Sequence, residues 1–213
     1  MPATTRKRAP RASSSSKKYV PMDFSHLLGK VKGIDDDLMK IHFKLYEQLV
    51  GATNASLQKM EATYKGAGVT DMVSYSGLQK EFSFFFNGMR LHELYFGGMC
   101  GENAGVEHME HGLREAINAS FGSFAAWKKN FMQTGSIPGV GFVALSRDRR
   151  TGRLMNLWIN EFNIGELVDV DLLLVMDMWE HAFLCQFGLN VAKYQEVYLA
   201  NVNWSVVSAL FRK

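Results

Sequence analysis

Only two cysteines occur in the chain, Cys100 and Cys185. A fold held by several disulfides is therefore excluded, and two reduced thiols in a cytosolic protein is the plain reading. Long uncharged apolar runs are also missing. A membrane-spanning helix needs about 18 or more such residues, and the longest candidate, Phe82 to Met99, is broken by Asn87, Arg90, His92 and Glu93. Acid is absent from the first 18 residues, which carry six basic side chains: Arg6, Lys7, Arg8, Arg11, Lys17 and Lys18. The formal charge of +3 belongs to that segment, because the remainder holds 18 basic against 21 acidic residues, a net of −3.

The basic segment, residues 1–18, is also rich in Ser, Ala and Pro. It offers too little apolar surface to offset the entropy of ordering it, so it is expected to be a disordered arm. It has no apolar core of the kind a secretory signal needs. A solvated arm is the simplest reading. The alternatives are an organelle transit peptide, for a mitochondrion or plastid, a weak polyanion-binding arm, or a docking tail. No aromatic residue interleaves with its charges before Tyr19, which argues against stacking on bases.

What is present beyond the arm is ordinary for a globular protein: 213 residues, 47% hydrophobic and 21% charged. That length supports a sizeable core without staples. Leu38, Ile41, Leu45, Leu49 and Val50 recur at three- and four-residue spacing, which predicts a helix over 36–64, opened by the acids Asp35 to Asp37. A break at 66–70 precedes a second long helix, expected from about Ser76 to Met99, with Phe82, Phe85, Phe86, Met89 and Leu94 on its apolar stripe. Two shorter helices follow, over 106–122 and 123–133, split at Gly122. After Gly135 the pattern changes. Residues 139–148 and 153–162 read as a β-hairpin, 167–178 as a third, buried strand, and 193–211 as helix again. The expected fold is α+β. A helical hairpin domain spans 19–103, and a metal-binding domain with a small three-stranded antiparallel sheet and flanking helices spans 104–213.

Six histidines are candidates for chemistry. His42 and His92 each lie mid-helix beside an apolar stripe, so both rings are expected to point inward. One buried helical histidine is usually a hydrogen-bonded core residue, whereas two on neighbouring helices make a shared ligand plausible. Asp177 closes a very apolar strand, where a carboxylate is costly unless it is paired or binds a cation. His181 follows four residues later. Three imidazoles and one carboxylate form a borderline-hard donor set that suits iron or manganese and leaves a position open for water and substrate. Zinc would need a hydrolytic base, and none is well placed. His108 and His111, beside Glu107 and Glu110, read as a solvated, acid-rich helix start rather than a chelate, and His26 has no partner pattern.

The string Asp177-Met-Trp-Glu-His-Ala-Phe183 resembles the signature of the iron/manganese superoxide dismutase family. The resemblance extends over about residues 20–211. His42 and His92 resemble the family's ligands on its first and second helices. Residues 117–131 are similar to the stretch between its domains, Gly139 to Phe142 to its first-strand motif, and Asn203-Trp204 to its closing pair. The resemblance implies one iron or manganese ion per subunit, bound by His42, His92, Asp177 and His181. Superoxide would be converted there to dioxygen and hydrogen peroxide. It further implies catalytic roles for Tyr46, Trp179 and Glu180, and a homodimer or tetramer in which Glu180 accepts a hydrogen bond from the partner's copy of His181. A cytoplasmic location is expected, or an organelle if the arm is a transit peptide.

Around that centre the sequence departs from the family. One branch supplies a glutamine or histidine, set against the metal-bound water, four residues before the second ligand, where this chain has Gly88. The other branch supplies it from the second strand, where Phe162 falls, and a phenyl ring cannot donate that bond. Asn160, Glu161 or Asn163 would be the local substitutes. The gateway tyrosine is replaced by Leu49 or Val50, the strand tryptophan by Phe142, and a later aromatic by Leu184. Tyr46 falls near a histidine of the family. Two functions stay open: a divergent dismutase with a repacked surround, or a metal-binding subunit of a larger assembly with weak or lost turnover. The four intact ligands favour the first.

Overall fold

The computed structural model describes residues 17–66, 68–102 and 104–213. The arm assigned to 1–18 therefore lies outside the described residues, apart from the exposed Lys17 and Lys18. The first helix, α1, runs Asp36–Lys65 and the second, α2, runs Met72–Gly97. Helix α2 begins four residues earlier than the sequence pattern suggests. Asp71 is the reason: its carboxylate accepts hydrogen bonds from the backbone N–H of Val73 (3.0 Å) and Ser74 (3.4 Å), satisfying donors that a helix start leaves open. The two long helices pack along each other, and the segment before them crosses their faces. The backbone of Tyr19 exchanges hydrogen bonds with the Asn54 amide, and Phe24 sits against Tyr46 and Phe96.

The stretch 106–122, expected as one helix, divides. A tight turn at Val106–His108 is followed by extended backbone at Met109 and Glu110, and only then by α3, His111–Phe121. Met109 is buried and the Glu110 N–H is held by the Ser208 hydroxyl, so tertiary contacts interrupt the helical run. Gly122, at φ 86°, reverses the chain into α4, Phe124–Gly135, capped by Ser123.

Strands β1 (Gly141–Asp148), β2 (Leu154–Asn160) and β3 (Val170–Asp177) form an antiparallel sheet in the order β2-β1-β3. Three helices close the chain: α5 (Glu180–Phe187), α6 (Val191–Ala200) and α7 (Trp204–Phe211). The final helical stretch is thus cut at Asn201–Asn203. There the Asn201 amide binds the Lys32 carbonyl and the Asn203 side chain caps α7. The architecture is α+β, with helices first and a small sheet after. One apolar core runs through both parts, from Leu38 and Met89 to Trp127, Phe142, Val175 and Trp204. Each fully buried aromatic of that set contributes on the order of 2–3 kcal/mol. Among the described residues no helix is long and apolar enough to cross a membrane.

Candidate metal centre

Four elements each present one side chain to a common point. On α1, the stripe Leu38, Met39, Tyr46, Leu49 and Val50 faces the core and carries His42 in with it. On α2, Met89, Leu91, Tyr95 and Phe96 do the same for His92. Asp177 is the last residue of β3, paired with Phe142 on β1. His181 lies in the first turn of α5. The Asp177 Oδ2 stands 3.1 Å from the Nε2 of His42, 3.0 Å from that of His181 and 3.5 Å from that of His92. All four donor atoms lie within 4.8 Å of one another.

The hydrogen bonds that reach the cluster from its surroundings fall on other atoms of His92 and Asp177 than those that face one another. His92 Nδ1 donates to the Gly88 carbonyl (2.7 Å), which leaves the lone pair on Nε2. That buried Nε2 has no hydrogen-bond partner among the described residues. An orphaned buried acceptor is costly, and a bound cation is its natural satisfaction. The Asp177 Oδ1 accepts the Trp179 backbone N–H at 2.8 Å, turning Oδ2 toward the histidines. Burial opposes ionisation of Asp177, yet the charges and hydrogen bonds of His181 and His42 outweigh it and hold the carboxyl below its usual range. Burial pushes the His42 imidazole down despite Asp177, and drives His92 down to about 3. Neutral imidazoles beside a carboxylate are the protonation states that bind a metal. The donor set therefore fits iron or manganese.

Aromatic rings enclose the cluster. Phe96 and Tyr95 lie 4.9 and 5.1 Å from the His42 ring, Phe142 lies 5.6 Å from His92, and Trp179 stacks 5.9 Å from His181. Phe162 lies 6.0 Å from His92. It is brought inward by Glu161, whose φ of 53° turns the chain at the end of β2. A Cβ placed on Gly88 would sit 3.1 Å from the Phe162 ring and 3.3 Å from Leu49. The glycine and the phenyl ring are thus complementary, and they occupy the wall with carbon. Asn160, Glu161 and Asn163 make no hydrogen bond to the four clustered side chains. The Asn163 amide reaches Ser83 instead, and the Glu161 carbonyl receives Trp179 Nε1. The expected stand-in amide is therefore turned away, because the turn at Glu161 gives the inward position to Phe162.

The Tyr46 ring is buried beside His92, but its hydroxyl faces elsewhere. It accepts the Met22 N–H (2.9 Å) and donates to Glu93 (3.0 Å). Burial, followed by the Glu93 charge, pushes this phenol up to about 12. Leu49 and Val50 are buried. Glu180 is exposed, and no hydrogen bond or ion pair within the described residues engages it. His108 and His111 lie apart from the cluster, near Glu107 and Glu115 respectively, with exposed side chains. His26 is exposed as well.

Three tyrosines escaped the sequence reading. The Tyr194 hydroxyl donates to the Asp177 backbone carbonyl at 2.7 Å, and Tyr198 donates to that of Val175 at 2.6 Å. The Tyr95 hydroxyl meets that of Tyr194 at 3.1 Å. They back the end of β3 and the His42 ring. The available signal was the four-residue spacing of Tyr194 and Tyr198, which aims both at one side of a helix.

A helical hairpin set on a three-stranded sheet, with three histidines and an aspartate gathered between them, is an α+β protein with a cluster that could hold a metal ion. Comparison with known proteins narrows it further. The family described as "Iron/manganese superoxide dismutases, C-terminal domain" matches residues 109–210. A protein of Methanothermobacter thermautotrophicus named Superoxide dismutase [Fe] is 31% identical over 171 residues, covering 80% of this chain and 82% of that protein. One of Saccharolobus solfataricus with the same name is 27% identical, covering 84% and 86% respectively. Superoxide dismutase [Mn/Fe] of Aeropyrum pernix is 28% identical, covering 82% and 81%. The chain belongs to the iron/manganese superoxide dismutase family.

Proposed function

We propose that the chain is a superoxide dismutase working at one iron or manganese ion per subunit, held by His42, His92, Asp177 and His181. The observation that carries this reading is the gathering of three imidazole Nε2 atoms and one carboxylate oxygen within 4.8 Å of one another in a buried site. Relatives named as iron or manganese/iron superoxide dismutases support it. Bound there, the ion supplies alternating one-electron chemistry, oxidising one superoxide to dioxygen and reducing a second, with two protons, to hydrogen peroxide. The residues do the rest. Trp179 N–H and Tyr194 O–H fix Asp177. Gly88 fixes the tautomer of His92. The aromatic walls exclude water from every side except that of His181, whose side chain is 20% exposed.

The assembly in this reading is a homodimer, or a tetramer built from it. Glu180 accepts a hydrogen bond from the partner's His181, and the exposed, unengaged Glu180 beside a part-exposed His181 supports that contact. The compartment is the cytoplasm, or an organelle if residues 1–18 are a cleaved leader. The same basic residues would make any polyanion contact, which would weaken steeply with salt.

A second reading rests on Phe162 against Gly88, because that wall holds no hydrogen-bond donor for a metal-bound water. In it the chain binds metal but turns over weakly or not at all, as a subunit of a larger assembly. Superoxide decay measured with iron- and manganese-loaded protein beside His92→Ala separates the two. The dismutase reading expects decay faster than the variant by at least a hundredfold. Equal rates contradict it, and equal rates with metal retained support the second.

A further inference from the structure

Helices α4 and α6 carry none of the four clustered side chains, yet a groove of about 630 Å³ lies between them. The local sequence makes it. On α4, Lys128, Met132 and Ser136 recur at four-residue spacing, and Lys129 stands three before Met132, so all of them come to one side of the helix. From α6, Gln195 and Glu196 face them, and the small side chains of Ala125 and Ala192 leave the space open. Gln195 is a polar side chain only 1% exposed. Its Nε2 donates to the Met132 carbonyl (3.1 Å) and lies 3.4 Å from the Ser136 Oγ. The Ser136 hydroxyl spends its own proton on the Met132 carbonyl (2.8 Å), so both oxygens accept from Gln195 and the amide is held with its nitrogen toward α4. Gly135 permits this approach, since a Cβ there would sit 2.8 Å from that nitrogen. The Gln195 Oε1 is left at the groove with no donor among the described residues. The charged ends of Lys128, Lys129 and Glu196 likewise make no hydrogen bond or ion pair with any described residue.

We infer that this groove binds a small zwitterion with two carboxylates and one ammonium, an acidic dipeptide with a free amino end. It goes beyond the proposed dismutase activity and does not depend on it. Charge, hydrogen bonding and size each select this class. Two ammonium groups and one carboxylate line the groove, and a ligand with the opposite set matches them group for group. Lys128 and Lys129, adjacent on α4, take the carboxylates. Gln195 and Glu196, adjacent on α6, take the ammonium, the first as a buried acceptor that lacks a donor and the second as its counter-charge. A plain dianion would leave the Gln195 Oε1 unpaired and meet Glu196, and a polycation would meet the two lysines, so both are disfavoured. The volume lies in the middle of the range for ligand pockets, roughly 300–1,000 Å³, which suits a dipeptide better than a single amino acid. Exposed ion pairs contribute at most about a few tenths to one kcal/mol each, so a dissociation constant of roughly 0.1–1 mM is expected.

The test is an NMR titration of the protein as purified, in its native assembly, with alanyl-glutamate and, separately, with N-acetyl-alanyl-glutamate and alanyl-lysine. The titration reads occupancy, so a protein without dismutase turnover answers as well as an active one. Saturable binding of alanyl-glutamate, with the acetylated and the lysine probes each at least fivefold weaker, is the expected result. Lys128→Glu combined with Lys129→Glu should weaken alanyl-glutamate at least tenfold. Gln195→Leu, which removes the buried acceptor, should weaken it at least fivefold while circular dichroism is retained. Should Gln195→Leu fail to fold, Glu196→Lys decides instead: with the counter-charge of the ammonium reversed, the acetylated probe should bind at least as well as the free dipeptide. Equal binding of the three probes by the unmodified protein, no saturable binding of alanyl-glutamate, or no effect of the substitutions overturns the proposal. Loss of binding as the protein associates with itself also overturns it, because a second copy would then be the occupant.

Discussion

At the scale of single residues, Phe162 and Gly88 form the feature that sets this site apart. The ring fills the space that a Cβ on Gly88 would enter, and the wall beside His92 offers no donor. Phe162→Gln introduces one. In a protein that turns over superoxide, the substitution is expected to change the rate by about ten- to a hundredfold, the usual reach of a group that orients a metal's surroundings. It should also cost up to about 3 kcal/mol of stability through lost packing. Pulse radiolysis and urea unfolding of the variant check both, and an unchanged rate would show that this wall does not tune the centre. The glycine and the phenylalanine were each legible in the sequence, but their mutual contact was not, because it depends on the turn at Glu161. Of the four clustered side chains, His42, His92 and Asp177 were legible because each lies in a strongly patterned element, and His181 because it follows Asp177 by four residues. The tyrosine hydroxyls were not, since an apolar stripe says where a ring is buried and nothing of where its oxygen points.

At the scale of elements, β3 and the two long helices hold the donors in register. Tyr194 on α6 ties the end of β3 through the Asp177 carbonyl. Tyr194→Phe removes that donor and leaves the Tyr95 hydroxyl without its partner, at an expected loss of about 1–2 kcal/mol and with faster metal release. Denaturant unfolding and chelator-induced metal loss measure the two effects, and wild-type values in both would remove Tyr194 from this role. The buried histidines also make metal-free stability depend on pH. Burial lowers the folded-state values of His42 and His92 from the ordinary imidazole value of 6.5, the latter to about 3. A lowered histidine contributes its full stability above the unfolded value and loses it as pH falls toward the folded one. Between pH 6.5 and about 3 the unfolded chain binds more protons than the folded one at His92, so stability should fall on acidification by up to about 1.4 kcal/mol per pH unit from that residue, with His42 adding in the same direction. Urea midpoints of the stripped protein at pH 7, 5.5 and 4 test this, and equal midpoints would contradict the burial. Helix α5 was the element the pattern missed, because eight residues directly after a buried strand offer too few turns for a period to show.

At the scale of the whole molecule, the family relationship, the α+β layout and the gathered donors agree on one centre between the helical hairpin and the sheet. Periodicity made the long helices and the three strands readable. Their ends shifted where side chains such as Asp71 or Ser208 intervened. The proposed dimer belongs to this scale. Glu180→Ala should shift the protein toward monomer in sedimentation velocity at micromolar concentration while leaving the fold intact. An unmodified protein that sediments only as monomer would remove the contact.

The central claim is that His42, His92, Asp177 and His181 hold a single transition ion. Metal content by mass spectrometry, measured on the protein as purified and on His92→Ala prepared in parallel, tests it most directly. Close to one iron or manganese per chain is expected in the first, with most of it lost in the second. Neither metal in the unmodified protein, or the same content in both, would contradict it.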